Sequence, residues 1–359
     1  MASTGILGLD IGSQQIKAAW VRRRRQQVTL GGAARVPTPP NTVQDGAILD
    51  TDQVTSAVRS MVQAHGLANM ETVAAVSGSH VLVRAIKMPD MPTATLRKSM
   101  RFEAAKHLDA GKNAFGIDAS AVEFEVMGRS GNPPQLDVLL VVAPNALVQT
   151  RQKAMENAGL EPLAVDVEAF ALLRAVEAAA RSPRPEEALV VLDVGASYTD
   201  LNIVMNGDVA VTRSIPVGGS ALTASIASLL NVSPEEAEKL KREIALPAEG
   251  EQPEEPTARR LLEVTIPFVD EIVRELRRSV IYFQSQAAEA GLQVAVDQLI
   301  LSGGSTQLRG LHAYLSARLG MEVTTLDLSG IPSNAGPLPL LENHGAEFTV
   351  ALGLALKEV

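Results

Sequence analysis

Two short stretches with the pattern Asp-x-Gly followed by small and polar residues carry the chemistry open to this chain. The first reads Asp10-Ile11-Gly12-Ser13-Gln14-Gln15-Ile16-Lys17, the second Asp193-Val194-Gly195-Ala196-Ser197-Tyr198-Thr199-Asp200. A glycine in a tight turn lets backbone amides point at phosphate oxygens. Ser13 adds a hydroxyl, and Lys17, on the following strand, supplies a cation. Asp10 and Asp193 are acceptors only when ionised, which suits a magnesium ion held through its water shell. Either loop alone is consistent with an ordinary hairpin. Two of them on opposed walls would clamp one polyphosphate, and phosphoryl chemistry needs mainly positioning and charge neutralisation.

Two further segments join them. Ser302-Gly303-Gly304-Ser305-Thr306 follows the apolar run Gln298-Leu299-Ile300-Leu301 and precedes a helix expected near Leu308. Glycines at such a strand-to-helix junction let a ligand approach the backbone and the helix N-terminus. Glu238 and Lys241 lie at i and i+3, on one face of a helix. They are placed to contact ribose and adenine; the alternative is a solvated charged pair.

The elements that must hold these residues form a repeat. Gly5–Val21 and Ala188–Val204 share a buried-strand run, the Asp-x-Gly turn and a second apolar run, at an offset of 183 that puts Asp10 on Asp193 and Gly12 on Gly195. The second copy continues through Asn206-Gly207, a hairpin signal. A duplicated fold with a cleft between its halves follows. Between about 81 and 163 the order strand, helix, strand, strand, helix reads as an α+β insertion, with strands at Val81–Pro89, Ala121–Met127 and Leu136–Val142, a turn at Gly128–Pro134, and helices at Thr93–Leu108 and Asn145–Ala158. Val165–Ala180 reads as a short strand and helix, and Ser182–Pro185 as the linker. A helix over Pro234–Ile244 takes Ser233 as its cap; Leu246–Thr257 is acidic, Pro-rich and expected to be a mobile loop. Leu262, Ile266, Val269, Val273, Leu276, Val280 and Phe283 recur at three- and four-residue spacing, a core stripe on a long helix that Pro267 is expected to kink.

Composition narrows the function classes. Across 359 residues, 46% are hydrophobic, so a large core is available, but only 3% are aromatic, so aliphatic packing dominates it. A formal net charge of −9 argues against nucleic acid as the main partner. The absence of cysteine removes disulfides, zinc–thiolate sites and thiol catalysis, and the five histidines have no metal-ligand spacing. There is no signal-peptide pattern and no apolar run approaching ~18 residues, so a soluble cytoplasmic protein is expected. Arg22–Arg25 falls at an expected hairpin tip; contact with anionic lipid and plain solvation are the two readings.

The order of Asp-x-Gly, Asp-x-Gly, Ser-Gly-Gly and a final Gly-containing helix (Phe348–Val359) resembles the superfamily of actin, DnaK-type chaperones and sugar kinases. Within it, VRAIKMPDMP, FEAAKHL, LDVLLVVAP, AGLEPLAVDVEAFALLRA and TRSIPVGGSALTASIA resemble the PilM family of type IV pilus assembly proteins, relatives of the division protein FtsA. The chain stops at the second connecting helix, without the amphipathic membrane helix expected of FtsA, which favours the PilM branch.

The resemblance implies an α/β, actin-like (ribonuclease H-like) duplicated two-lobe fold. Its first lobe would take 1–80, 164–185 and 345–359, the inserted subdomain 81–163 as the partner surface, and the second lobe 186–344 with a helical subdomain at about 220–290. It implies ATP and Mg²⁺ as ligands, with Gly218 and Gly219 added to the loop residues and Glu168 as base or water-positioner. Gln307 stands where the chaperones carry a stacking arginine, and Ala196 replaces a residue often polar in fast ATPases, so turnover is expected to be slow or absent. The implied partner is the N-terminal cytoplasmic tail of a PilN-like inner-membrane protein. Pilus motor or platform proteins and self-association are further possibilities, and membrane contact would come through partners. Arg97, Phe102 and Leu108 lie on the inserted helix as groove candidates, with a core or solvated reading beside it. A small-molecule kinase and an FtsA-like filament former are the competing functions; no acid-plus-sugar-binding set supports the kinase.

Overall fold

The computed structural model describes residues 4–24, 27–108, 116–179, 187–248, 253–328, 330–333 and 338–358. The Ser182–Pro185 linker, Arg25 and the middle of the acidic loop lie outside them.

The chain opens with β1 (Thr4–Ile11), β2 (Gln15–Arg24), β3 (Gln27–Pro37), the short hairpin β4 (Val43–Gln44) and β5 (Ala47–Ile48), α1 (Thr51–His65) and β6 (Glu71–Val76). Then come β7 (Leu82–Pro89), α2 (Thr93–His107), β8 (Ser120–Ser130), β9 (Gln135–Pro144), α3 (Asn145–Asn157), β10 (Glu161–Val167) and α4 (Glu168–Ala178). The second half holds β11 (Glu187–Val194), β12 (Thr199–Met205), β13 (Asp208–Ile215), α5 (Gly219–Leu230), α6 (Pro234–Glu243) and α7 (Pro256–Glu289). It closes with β14 (Ala295–Ser302), α8 (Leu311–Leu319), β15 (Glu322–Thr325), α9 (Pro339–His344) and α10 (Thr349–Ala355).

The repeat seen in the sequence is a repeat of topology. One sheet runs β3-β2-β1-β6-β10 and the other β13-β12-β11-β14-β15. In each, the first three strands form an antiparallel meander and the next two add in parallel. Asp10 pairs with Lys17 in the first sheet and Asp193 with Asp200 in the second, so Lys17 and Asp200 occupy equivalent positions.

The layers follow from which face each strand buries. α4 and α10 lie between the two sheets in one shared apolar cluster with Ile6, Val73, Val191, Val204 and Ile300. This close packing needs glycine: a methyl on Gly353 would overlap the Ala171 carbonyl, and one on Gly8 the Ala351 carbonyl. The outer face of the first sheet is covered by α1 and α3, that of the second by α5 to α8. The stripe on α7 is core as its spacing implies: Val269 and Leu276 are fully buried, and the helix runs unbroken through Pro267. No helix among the described residues is long and apolar enough to cross a membrane.

Local readings shift at several boundaries. The insertion's own core is β7, β8, β9 and α2, whereas α3 buries Ala154 and Met155 in the first-lobe cluster against α1. The turn after β8 is shorter than expected, because a bulge at Met127 carries the strand on to Ser130. Leu246 is buried and its amide bonds Arg309 O at 2.8 Å, so it is anchored rather than part of a free loop, and Glu255 caps α7 at Pro256. The helix after the Gly303-Gly304 turn starts at Leu311, since a short 3₁₀ turn and the left-handed Gly310 intervene.

Candidate nucleotide site

The two Asp-x-Gly loops sit at the C-terminal ends of β1 and β11 and close in the same way. The Gly12 amide donates to Gln15 O at 3.1 Å, and the Gly195 amide to Tyr198 O at 2.9 Å. These two amides are therefore engaged inside their turns, and the glycines are there because a Cβ would press on those same carbonyls. Gln14 and Gln15 contribute carbonyls to the local frame: Gln14 O accepts from the Thr38 amide at 3.0 Å. Across the cleft the loops touch, with Ser197 Oγ donating to Ser13 Oγ at 2.8 Å.

Near the loops Asp10, Asp193, Asp200 and Glu168 lie within electrostatic reach of one another, with Lys17 and Arg151 as the cations among them. Lys17 Nζ is 2.7 Å from Asp10 Oδ2 and donates to Glu347 O at 3.0 Å. Burial works against the ammonium, but Asp10, and beyond it Asp193 and Glu168, hold its pKa above the usual value. Burial pushes Asp193 up, partly offset by the Ser302 hydroxyl and Lys17. Asp200 is raised to about 7 by burial, with Asp193 adding and the Ser214 hydroxyl opposing. Glu168, first residue of α4, is raised by burial and by Asp200, Asp10 and Asp193, against a hydrogen bond from Ser77. Four carboxylates thus share one region with two cations, Lys17 and the buried Arg151, whose pKa burial lowers to about 10 against the pull of Glu168 and Asp10. Among the described residues no three acidic or histidine side chains converge to ligate a metal ion directly, so these oxygen donors fit Mg²⁺ only as a hydrated ion held through its water shell.

A second group gathers around Gly219 at the start of α5. Its amide donates to Gly195 O at 2.9 Å, which joins it to the second loop. A Cβ there would lie 2.8 Å from Ser305 Oγ and 3.3 Å from Lys241 Nζ. Lys241 bonds Gly219 O at 3.2 Å, Thr223 Oγ1 at 2.9 Å and Glu238 at 2.6 Å, and Thr223 donates to Glu238 at 2.7 Å. Gly218 packs directly on the backbone of Ala196 and Ser197. The Gly303 amide donates to Ala346 O at 2.8 Å, a carbonyl that Ser302 and Thr349 hydroxyls also bond. Gly304 is exposed beside it.

The structure thus brings Asp10, Lys17, Asp193 and Glu168 into one field, Ser13 against Ser197, and Gly195, Gly218, Gly219, Glu238, Lys241 and Ser305 into one rim. It does not bring in the Thr199 side chain, which is fully buried and donates to Val217 O at 2.7 Å because it shares the inward face of β12 with Leu201 and Ile203. Burial pushes the Tyr198 hydroxyl up to about 12, with Asp45 adding and Ser79 opposing. Gln307 bonds His344 at 2.8 Å and also Glu347. Arg23 of the basic run holds the end of α10 through Leu356 O at 2.6 Å and Glu358 at 3.0 Å. On α2, Arg97 stacks over Phe124, 5.4 Å from the ring centroid, and Phe102 is 78% exposed, so the core reading fails for Phe102; Leu108, one residue past the helix, is half-buried. Asp200 and Ser302 are the residues near the loops that motif spacing did not single out. The repeat offset of 183 from Lys17 would have found Asp200.

A family model described as type IV pilus assembly protein PilM matches residues 8–359. The chain is 23% identical to the cell division protein FtsA of Escherichia coli (strain K12) over 341 residues, covering 86% of this chain and 80% of that protein. It is 23% identical to FtsA of Neisseria meningitidis serogroup B over 383 residues, covering 96% and 88%. Among solved structures, a chain of a PilM-PilN type IV pilus biogenesis complex matches with a TM-score of 0.81 at 25% identity, over 98% of this chain and 97% of that one. MreB 5 of Spiroplasma citri bound to AMPPNP matches in fold alone, with a TM-score of 0.52 at 14% identity over 98% and 95%. The two sheets with their shared helical layer are an actin-like two-lobe fold.

Proposed function

Since this chain belongs to the type IV pilus assembly protein PilM family, we propose that it is an ATP-binding scaffold of the pilus assembly platform at the cytoplasmic face of the inner membrane. In this reading Mg-ATP sits between the two Asp-x-Gly loops. The inserted subdomain presents a surface to the N-terminal tail of a PilN-like membrane protein. The partner is suggested by likeness to a chain from a PilM-PilN complex.

The observation that carries the nucleotide half is the group of carboxylates around Lys17, near two matched glycine loops. Asp10 and Asp193 would hold the magnesium ion through its water shell, which would neutralise phosphate charge. Lys17 would offset negative charge at the first loop, while Ser13 and Ser197 offer hydroxyls from opposite walls. Glu238 and Lys241, held by Thr223, would contact the nucleoside, with Gly219 leaving room beside Ser305. Glu168, at the head of α4, would orient water. A scaffold needs binding more than turnover, because a ligand that prefers one lobe arrangement shifts its population by differential affinity.

Titration of Mg-ATP into the wild-type chain and into Asp10→Ala and Asp193→Ala tests the assignment. Magnesium-dependent binding is expected in the wild type and lost in both variants; unchanged affinity in both variants would reject the cleft.

A further inference from the structure

Between β15 and α10 the chain crosses from the second lobe to the first for the last time, and the crossing is fastened on both sides. On the second lobe, the Leu326 amide donates to Leu301 O at 3.0 Å and the Gly303 amide to Ala346 O at 2.8 Å. On the first, the crossing grips β3, the edge strand of its sheet. The Leu30 amide donates to Pro332 O at 2.8 Å, and Leu328, Ile331 and Leu341 are buried in the cluster that contains Leu30.

Within this crossing, one side chain is held from both lobes. Glu347 lies in the 3₁₀ turn Gly345–Phe348, just before α10. Arg35 of β3 donates to its Oε2 at 2.7 Å from the first lobe. From the second lobe, the Gln307 side-chain amide donates to Oε1, and also to His344 Nδ1 at 2.8 Å. Lys17, the register partner of Arg35 on β2, donates to the main-chain oxygen of the same glutamate at 3.0 Å. The Glu347 side chain is 13% exposed and that of Arg35 33%, so solvent screens their attraction less than that of a pair on open surface. Arg35 takes one carboxylate oxygen and Gln307 the other, and the carboxylate is what joins them.

We infer that Glu347 is an interlobe latch, a single carboxylate that holds β3 of the first lobe to the turn after β14 of the second and so sets the resting arrangement of the lobes. The apolar layer of α4 and α10 between the sheets keeps the lobes together, but apolar burial is non-directional. The bonds on Glu347 are directional. Arg35 and Gln307 move with different sheets, so a rotation that separates them breaks one of the two bonds. A ligand that prefers another arrangement must work against them, and the latch thereby limits how far occupancy shifts the population. The latch itself is made within the chain and does not depend on the Mg-nucleotide reading.

The chain has no cysteine, so Lys153→Cys on α3 and Ser285→Cys on α7 place one spin label at an exposed position of each lobe. Dipolar spectroscopy without nucleotide then reads the distance between the lobes. Glu347→Gln keeps the shape of the side chain and removes its charge; Arg35→Met and Gln307→Leu each release one side. Wild type should give one narrow distribution. Each latch variant should widen it and raise the ratio of displaced to resting arrangement about 10-fold, the equivalent of one charge-assisted hydrogen bond. Arg23→Met is the control: it removes bonds to Leu356 O and Glu358 at the end of α10, inside the first lobe, and should leave the distribution as in wild type. Thermal unfolding verifies that each labelled variant is folded. An unchanged distribution in all three latch variants would overturn the latch. Equal broadening in Arg23→Met would also overturn it, by assigning the effect to general loosening of α10. Either failure leaves the nucleotide reading standing, because no nucleotide enters the measurement.

Discussion

Gly219→Ala separates the site from the fold more cleanly than any substitution of a charged residue. Gly219 is the first residue of α5 and has ordinary helical backbone, so alanine fits its conformation. Alanine is favoured over glycine in a helix by ~0.5–1 kcal/mol. The added methyl meets Ser305 Oγ at 2.8 Å and Lys241 Nζ at 3.3 Å, both free ends of side chains that can turn aside. Stability is therefore expected to stay within about 1 kcal/mol of wild type. Binding should not survive equally. The methyl takes the space where Ser305, Lys241 and the Gly195 carbonyl converge, so it would block the hydrogen bond that Lys241 is proposed to give the nucleotide. Loss of one charge-assisted hydrogen bond costs about 1.5–3 kcal/mol, which is an affinity loss of roughly 10- to 100-fold. Thermal unfolding followed by Mg-ATP titration reads both quantities. Unchanged affinity in a fully folded variant would refute the placement of the nucleotide beside Gly219. Loss of folding would refute the claim that its neighbours can give way.

Lys17→Met leaves Asp10, 6% exposed, without its cation at 2.7 Å. Removing one partner of a buried pair costs about 3 kcal/mol or more, so urea unfolding in EDTA should show that loss, and millimolar Mg²⁺ should restore part of it; no loss of stability would contradict the pairing. In metal-free protein, Asp200 holds its proton to about pH 7, whereas the unfolded chain releases it near ~4. The native state binds the extra proton in that window, so stability falls as pH rises from ~4 to ~7. Asp200→Asn should flatten that slope in urea midpoints measured across the window, and an unchanged slope would assign it to another group.

The chain's two halves were legible because duplication leaves matched strands and matched turns at one fixed offset. Asp10 and Asp193 could be aligned by eye, and their loops do close on equivalent hydrogen bonds. The same offset carried information that motif reading passed over: Lys17 maps onto Asp200, a change of charge sign at one topological position. Thr199 was also readable, since period-two alternation puts it on the buried face with Leu201 and Ile203. Other features are not local. Whether α3 covers the insertion or the first lobe depends on which sheet offers an apolar face, not on chain order. The Ser13–Ser197 bond joins residues 184 apart, and the Arg151 bond to Gly46 joins residues 105 apart. Such contacts follow from the way two sheets close on α4 and α10, and no periodicity in either segment announces them.

The most direct test of the account is calorimetry of the full chain with Mg-ATP, then with the N-terminal peptide of a PilN-like membrane protein, and then with both. The account predicts that each ligand binds and that Mg-ATP changes the peptide's affinity by the same factor as the peptide changes that of Mg-ATP. Tight Mg-ATP binding with no peptide binding, together with phosphorylation of a small metabolite, would contradict it and leave a kinase of the same fold.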